Sequence, residues 1–334
     1  MAKLKVGING FGRIGRVLFR DGFDKLDIVG INTLDSVEGC AHLLKYDSSH
    51  GIFKGDVSHD EKNISVNGKK IPISAVKNPA EIPWNAWGAD IILECTGAFK
   101  GKEEFMLHLK GGAKRVMVSA PAEGADLTIV FGINHESYDL AKHHVISNAS
   151  CTTNCLAPVA KILNDAFGIE SGMMTTIHSY TNDQKILDAP HKDLRRARSA
   201  AVSMIPTSTG AAKAVGLVLP ELKGKIDGTS VRVPTPNVSL VDFTFNTKKD
   251  ISVASINEAM TIAANGAFKG ILAVEKQELV SIDFNGNPHS SIVDLNCTMA
   301  VGARTGKVFS WYDNETGFSN RMIDLALYMQ QRGL

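Results

Sequence analysis

The chain has almost no net charge: 36 Lys and Arg stand against 35 Asp and Glu in 334 residues, a formal +1. Without a charge of one sign there is no long-range field to gather nucleic acid or a membrane surface, so neither is expected as a partner and any anion site has to be local. Cysteine is scarce and odd in number. Cys40, Cys95, Cys151, Cys155 and Cys297 are widely scattered, which fits a reducing, cytoplasmic setting rather than a disulfide framework. No C-x-x-C pair or His/Cys cluster has zinc-ligand spacing, so no metal site is expected. No apolar run approaches the roughly 20 residues that span a bilayer, and Met1 to Asn9 runs straight into a strand pattern rather than a signal peptide. Repeats and low-complexity segments are also missing. What is present is 44% hydrophobic and 21% charged residues. That composition buries a sizeable core, at a length that suggests two domains.

The first half alternates strand and helix signals. Lys3 to Asn9 reads as a buried strand, Arg13 to Asp21 as a helix, Asp27 to Asn32 as a strand and Glu38 to Lys45 as a short helix. Ile64 to Ile73 alternates around Asn67-Gly68, a dipeptide that favours a tight hairpin. Ala89 to Glu94, Arg115 to Ser119 and His144 to Ser147 are further strands, with a helix near Glu103 to Leu109. This rhythm predicts an α/β fold with a doubly wound parallel sheet over residues 1–150. After Ser150 the character changes. A helix over Cys151 to Phe167 precedes long apolar strands at Gly172–Ser179, Thr229–Val233, Ser239–Asn246, Ser291–Val301 and Lys307–Trp311. Residues 151–314 therefore read as an α+β domain with a mixed or antiparallel sheet. Tyr180 to Pro206 is polar, Arg-rich and without period, and a loop of that length is usually functional. The amphipathic last helix, within 315–334, is expected to pack back on the first domain.

Gly10-Phe11-Gly12-Arg13-Ile14-Gly15 is a G-x-G-x-x-G between a predicted strand and a predicted helix. In that context the glycines allow a sharp turn and close approach of a pyrophosphate, which the helix N-terminus then receives. The fold is accordingly Rossmann-type, with a nicotinamide dinucleotide as cofactor. A ribose-binding acid is expected about 20 residues on. Thr33 stands there instead, with Asp35 nearby. A carboxylate repels the 2′-phosphate of NADP, and Lys77 would attract it. NAD is the first reading, with NADP open.

The segment Ser147-Asn148-Ala149-Ser150-Cys151-Thr152-Thr153-Asn154-Cys155 suggests a nucleophile. Ser150 reads as an N-cap, which puts Cys151 in the first helical turn. There the partial positive charge of the helix end is expected to lower the thiol pKa. Cys155 reads as a buried neighbour, and Cys40, Cys95 and Cys297 as core. Of ten histidines, His178 ends an apolar strand and opens the polar loop, so it is the candidate base.

These residues resemble the phosphorylating glyceraldehyde-3-phosphate dehydrogenase family over essentially the whole chain. The match runs from Val6–Arg16 through Ala149–Cys155, His191–Arg198, Pro206–Lys213 (PTSTGAAK), Arg232–Asn237 and Ser310–Gly317. The resemblance implies oxidation of D-glyceraldehyde 3-phosphate to 1,3-bisphosphoglycerate. Cys151 attacks the aldehyde, His178 takes the proton, hydride passes to the nicotinamide, and inorganic phosphate cleaves the resulting thioester. It assigns the substrate phosphate to Thr181, Asp183 and Arg232. It assigns the attacking phosphate to Ser150, Thr152, Thr209 and Gly210, with Arg196 nearby. Arg13 and Ile14 fall at the pyrophosphate turn, Ser119 near the nicotinamide-side ribose, and Asn314 at the carboxamide. A homotetramer is also implied, with the Tyr180–Pro206 loop near a neighbour's cofactor.

Departures cluster at the adenosine end. Thr33, Lys77 and Ala189 stand where many NAD-using members carry Asp, Arg and Leu, which resembles members that accept NADP. Erythrose-4-phosphate dehydrogenase shares the nucleophile and is the nearest alternative. The PTSTGAAK run and the Arg232 segment speak against an aspartate-semialdehyde dehydrogenase. A non-catalytic binding protein on the same fold would be expected to lose Cys151 or His178, and both are present.

Overall fold

The computed structural model describes residues 2–334; Met1, which opens the segment leading into the first strand, lies outside them. The chain divides into two units. The first holds the chain up to Ile129, His135–Ser150 and Ser319–Leu334; the second holds Val130–Asn134 and Cys151–Phe318. Val130–Asn134, which the sequence reading leaves in the first domain, groups with the second, where Gly132 lies against Ile271.

The first unit carries a nine-stranded sheet. Its order is Leu127–Thr128, Val145–Ser147, Arg115–Val118, Ile91–Glu94, Lys5–Asn9, Asp27–Asn32, Lys69–Ser74, Asn63–Val66, Val57–His59. Pairing is parallel from Leu127–Thr128 through Lys69–Ser74, and antiparallel in the last three strands. Chain order reverses between Lys5–Asn9 and Ile91–Glu94. In open α/β sheets such a switch point opens a crevice at the carboxyl ends of the strands. The Asn67-Gly68 hairpin forms as its sequence predicts: Asn67 (φ 49°) and Gly68 (φ 81°) both adopt the left-handed region, the requirement of a type I′ turn. In the last helix, Thr316–Gln331, Asn320 Nδ2 donates to Asp21 (2.8 Å) and Gln330 Nε2 to Ala2 O (2.8 Å).

A buried polar chain runs behind the crevice. Trp84 Nε1 donates to His108 Nδ1 (3.0 Å), which leaves the ring proton on Nε2, facing Glu94 Oε2 at 3.0 Å. Asn9 Nδ2 (2.5 Å) and the Thr96 amide (2.8 Å) also donate to the Glu94 carboxylate. Asn9 directly precedes Gly10, whose φ is +89°. A Cβ on Gly10 would stand 2.6 Å from Thr96 N. The carboxylate thus ties together the two segments that meet at the glycine turn.

The second unit carries a seven-stranded mixed sheet in the order Ile205–Thr207, Ile226–Val233, Ile169–Ser179, Ser239–Thr247, Thr305–Tyr312, Ser291–Val301, Leu272–Glu275. Helix Cys151–Phe167 lies on it, with Cys155 fully buried against Ser291 and Ser310. Helix Val253–Asn265 is absent from the sequence reading. It buries only Ile256 and Met260, one turn apart, so its apolar stripe is thin. The Tyr180–Pro206 loop is less featureless than its composition suggests: Arg198 bonds Asp188 (2.9 Å), Arg196 bonds Asp183 (2.5 Å), and Ala200–Val202 forms a short helical turn. Cys95 and Cys297, read as core, are only partly buried. Cys95 directly follows the end of its strand, and Cys297 lies where the pairing of Ser291–Val301 with its neighbour slips. Among the described residues no helix is long and apolar enough to cross a membrane.

Removing one donor from a buried carboxylate leaves charge uncompensated and costs about 3 kcal/mol or more. His108→Phe should therefore lower the unfolding free energy by about that amount in urea titration. A loss below about 0.5 kcal/mol would show that Glu94 does not depend on the ring.

Candidate active site

The nucleophile is positioned by a strained turn. Strand Val145–Ser147 ends, Ala149 takes φ 57°, and the helix begins at Cys151. A left-handed alanine is uncommon, and such strain concentrates at functional turns. Cys151 is partly exposed, and its Sγ lies 3.5 Å from His178 Nε2.

His178 owes its surroundings to sheet register. Strands Ile169–Ser179 and Ile226–Val233 pair in parallel with His178 opposite Arg232. Arg232 Nη1 stands 2.8 Å from His178 Nδ1 and donates to Ser179 O (2.9 Å). His178 Nδ1 lies 2.7 Å from that same carbonyl. Arg232 Nη1, which can only donate, bonds Ser179 O; with the ring proton on Nδ1 donated to the same carbonyl, Arg232 acts on the ring as a neighbouring cation and Nε2 keeps its lone pair toward the sulfur. The ring is then a proton acceptor.

Burial and the cation act on both groups. Burial is the larger influence on His178, and Arg232 adds to it; together they lower the imidazole to about 3, so it stays neutral at physiological pH. Burial also pushes the Cys151 thiol up. Arg232, Thr152 and the amides at the helix start pull it down without overcoming burial. This corrects the expectation of a lowered thiol pKa. A helix terminus is worth a few tenths to about 1 kcal/mol in most settings, and desolvation of a thiolate exceeds that. The ion pair therefore has to be drawn out by Arg232 and by the reaction itself.

Tyr312, which falls in the Ser310–Gly317 match but is given no role in the sequence reading, lies beneath this pair. Its hydroxyl lies 2.8 Å from both Thr152 Oγ1 and Thr176 Oγ1, and its ring meets His178 edge-on at 6.0 Å. Thr152, expected at a phosphate, thus shares its hydroxyl between Tyr312 and the Cys151 sulfur, and its backbone N–H also faces the sulfur. Asn314 follows Tyr312 in a turn held by Asp313, which accepts from the Glu315 and Thr316 amides. Asn314 Oδ1 accepts from Ser179 Oγ (2.8 Å) and Ser239 Oγ (2.9 Å). Both hydroxyls therefore fix the amide with its NH2 turned the other way. Ser179 and Ser239 likewise enter the sequence reading only as strand ends; the one available signal for a site role of Ser179 is its place directly after His178.

The anion-binding candidates are gathered less tightly. Arg196 donates to Asp183 (2.5 Å), Thr207 Oγ1 (2.7 Å) and Ser208 O (3.3 Å), and also faces Asp193. Asp183 therefore serves Arg196 rather than presenting itself to an anion. Both are near enough to Arg232 to influence its charge. The Nε of Arg232 is buried without a protein partner. The Thr181 amide (2.8 Å) and hydroxyl (3.4 Å) donate to Gln184. Thr209 Oγ1 accepts from the Ala211 amide (3.1 Å) just before helix Ala211–Val218, whose N-cap is Gly210, and a Cβ on Gly210 would meet nothing within 4 Å. Ser150 directly precedes the nucleophile.

The glycine turn of the first unit suits a pyrophosphate. Gly15 packs against the turn, since a Cβ there would stand 2.2 Å from Gly10 O; at Gly12 a Cβ would meet nothing within 4 Å. One glycine closes the turn, one seats the helix, and one leaves room for a ligand. The Ile14 N–H belongs to the first helical turn, which has no intrahelical acceptor. The Arg13 side chain points elsewhere, gripping Asp47 in a fork (2.5 and 3.2 Å). Against the effect of its own burial, that fork and the His50 and Ser49 amides hold Asp47 at about 2. Thr33 is buried at the end of its strand, Lys77 is exposed, and the Ser119 amide donates to Glu94 O (3.0 Å).

Two family models and several known proteins match the chain. The family model described as "Glyceraldehyde 3-phosphate dehydrogenase, NAD binding domain" matches residues 4–102, and that described as "Glyceraldehyde 3-phosphate dehydrogenase, C-terminal domain" matches residues 150–314. The chain is similar to glyceraldehyde-3-phosphate dehydrogenase 1 of Bacillus cereus, 57% identical over 332 residues and 99% of each chain. It is also similar to the glyceraldehyde-3-phosphate dehydrogenases of Geobacillus stearothermophilus, 56% over 333 residues, and Xanthobacter flavus, 58% over 334, again with 99% of each chain covered.

Arg232 lowers the Cys151 thiol, so its removal should raise it. In Arg232→Ala, the alkaline limb of Cys151 alkylation by iodoacetamide should move up by about one pH unit or more. Below that limb the rate at a given pH falls by the same factor. An unmoved limb would show that Arg232 does not help to ionise the thiol.

Proposed function

The chain belongs to the glyceraldehyde-3-phosphate dehydrogenase family, and on that premise we propose that Cys151 and His178 carry out the oxidation of D-glyceraldehyde 3-phosphate to 1,3-bisphosphoglycerate with NAD. The observation that carries the assignment is the 3.5 Å approach of Cys151 Sγ to His178 Nε2, beside Arg232. His178 Nε2 accepts the thiol proton as Sγ bonds to the aldehyde carbon and returns it to the resulting oxyanion, giving a hemithioacetal and a neutral ring. Amides at the helix start face the sulfur and suit the developing oxyanion. His178 then removes the hydroxyl proton as the carbon gives up hydride, leaving a thioester on Cys151. Bound NAD supplies the hydride acceptor. Attack by an inorganic phosphate oxygen breaks the C–S bond, returns the thiolate and releases the acyl phosphate. The thioester retains the energy of oxidation that hydrolysis would lose, and it divides one difficult step into two.

Arg232, with its buried and unpartnered Nε, suits the substrate phosphate, and Thr181 borders it. The open side of Gly210 and the helix start beyond Thr209 suit the attacking phosphate, with Ser150 and the Thr152 amide opposite. Asp183 keeps Arg196 oriented toward that region. Gly10, Gly12, Ile14 and Gly15 receive the pyrophosphate, with Arg13 anchoring the turn through Asp47. Ser119 borders the nearer ribose, and the outward NH2 of Asn314 meets the carboxamide. Thr33 and Lys77 stand at the far ribose. The relatives named above carry the glyceraldehyde name, which favours this reading over an erythrose 4-phosphate substrate.

The chain is further proposed to be a cytoplasmic homotetramer. Five unpaired thiols support the first point. Exposed Ile186 (83%), Leu187 (76%), Leu194 (81%), Val202 (80%) and Met204 (76%) support the second. An apolar set of that size on one loop calls for cover. Light scattering should give the mass of four chains, and a monomer would contradict it.

Without inorganic phosphate the thioester should accumulate. Rapid mixing with aldehyde and NAD should then release about one NADH per chain and stop, with steady turnover restored by phosphate. Cys151→Ser should abolish the burst. Turnover that proceeds at full rate without phosphate would contradict the phosphorolytic step, and a burst from Cys151→Ser would contradict the nucleophile.

A further inference from the structure

We propose that Asp35 is the residue that reads the adenosine ribose in this protein, and that it keeps the site selective for a dinucleotide without a 2′-phosphate. At the end of strand Asp27–Asn32 the Thr33 amide still follows the sheet, donating to Ser74 O (2.9 Å). Thr33 is buried and offers a hydroxyl where a doubly wound dinucleotide fold ordinarily places a carboxylate. Past Asn32 the chain bends at Leu34 and Asp35, and the Thr33 hydroxyl closes that bend, which brings Asp35 back beside Thr33. Its carboxylate folds back. Thr33 Oγ1 lies 3.3 Å from Asp35 Oδ2 and accepts from the Asp35 amide at 3.4 Å. Leu34 between them points out, 63% exposed. A negative charge missing from position 33 is thus returned to the same strand end from position 35, tethered by the hydroxyl that replaced it.

The tether decides between two opposing charges. Lys77 also stands at this strand end, because both the N–H and C=O of Val76 bond the Asn32 side chain (2.9 Å each). Lys77 is exposed, on a flexible four-carbon stem whose ammonium is strongly hydrated. The Asp35 carboxylate is exposed as well, but it sits on a short stem and is hydrogen-bonded to Thr33 Oγ1. A fixed acceptor suits the paired hydroxyls of a ribose and repels a phosphate in the same spot. A mobile cation gains less from that phosphate. The site should therefore favour the unphosphorylated ribose although Thr33 alone would admit either.

This inference rests on the reading that the dinucleotide lies over the Gly10–Gly15 turn, and the experiment separates the two. ADP-ribose and 2′-phospho-ADP-ribose are titrated calorimetrically into the whole protein, into Asp35→Asn and Asp35→Glu, and into Gly12→Val. The wild type should bind ADP-ribose at least tenfold more tightly. Asp35→Asn should shrink that ratio about tenfold, weakening ADP-ribose and strengthening its phosphorylated form, and Asp35→Glu should recover part of it. Gly12→Val should keep its melting temperature, since its side chain enters open space, and lose both ligands. If Asp35→Asn shifts the two affinities equally or leaves both unchanged while Gly12→Val abolishes binding, Asp35 does not read the ribose. If Gly12→Val folds and binds normally, the turn does not hold the dinucleotide and the inference falls with that reading.

Discussion

The site depends on one pairing of strands. Ile169–Ser179 and Ile226–Val233 run parallel with His178 opposite Arg232, so a guanidinium is built into the sheet beside the imidazole. Side chains alternate faces along a strand, and a shift of one residue would turn Arg232 away. The antiparallel partner, Ser239–Thr247, brings Ser239 level with Tyr312. Helix Cys151–Phe167 then sets the sulfur over the same end of the sheet.

Within that frame burial and charge compete. Burial drives both the thiol and the imidazole toward their neutral forms, and a thiolate facing an imidazolium would regain roughly 4 kcal/mol at 4 Å in surroundings of intermediate polarity. Arg232 favours the thiolate and disfavours the imidazolium. The resting protein thus holds a neutral base against a protonated thiol. Proton transfer becomes favourable as the sulfur bonds to carbon, when the thiolate charge disappears into the new bond.

Much of the fold and site is legible in the sequence where it is local. The glycine turn, the Asn67-Gly68 hairpin, the start of the nucleophile helix at Cys151 and the strand ending at His178 each follow from neighbouring residues. The non-local parts are not legible. No pattern near His178 reveals that residue 232 pairs with it, and Arg232 enters from the sequence only through family resemblance. Tyr312, Ser179 and Ser239 act through hydrogen bonds across 60 to 160 positions. Arg13 reads as a pyrophosphate residue by place in the motif, yet its side chain is taken by Asp47 from a short hairpin. The expected drop in thiol pKa fails for a related reason: the helix end is visible in sequence, and the depth at which it is buried is not.

If burial and Arg232 hold His178 as an uncharged proton acceptor, nitrogen NMR of histidine-labelled protein will show it directly, with His178 assigned by comparison with His178→Asn. A neutral ring is expected throughout pH 5 to 8 in the free protein, with no titration near the ordinary histidine value of about 6.5. A His178 signal that titrates at or above that value would mean the ring is protonated before the thiol gives up its proton, and would contradict the neutral-base mechanism.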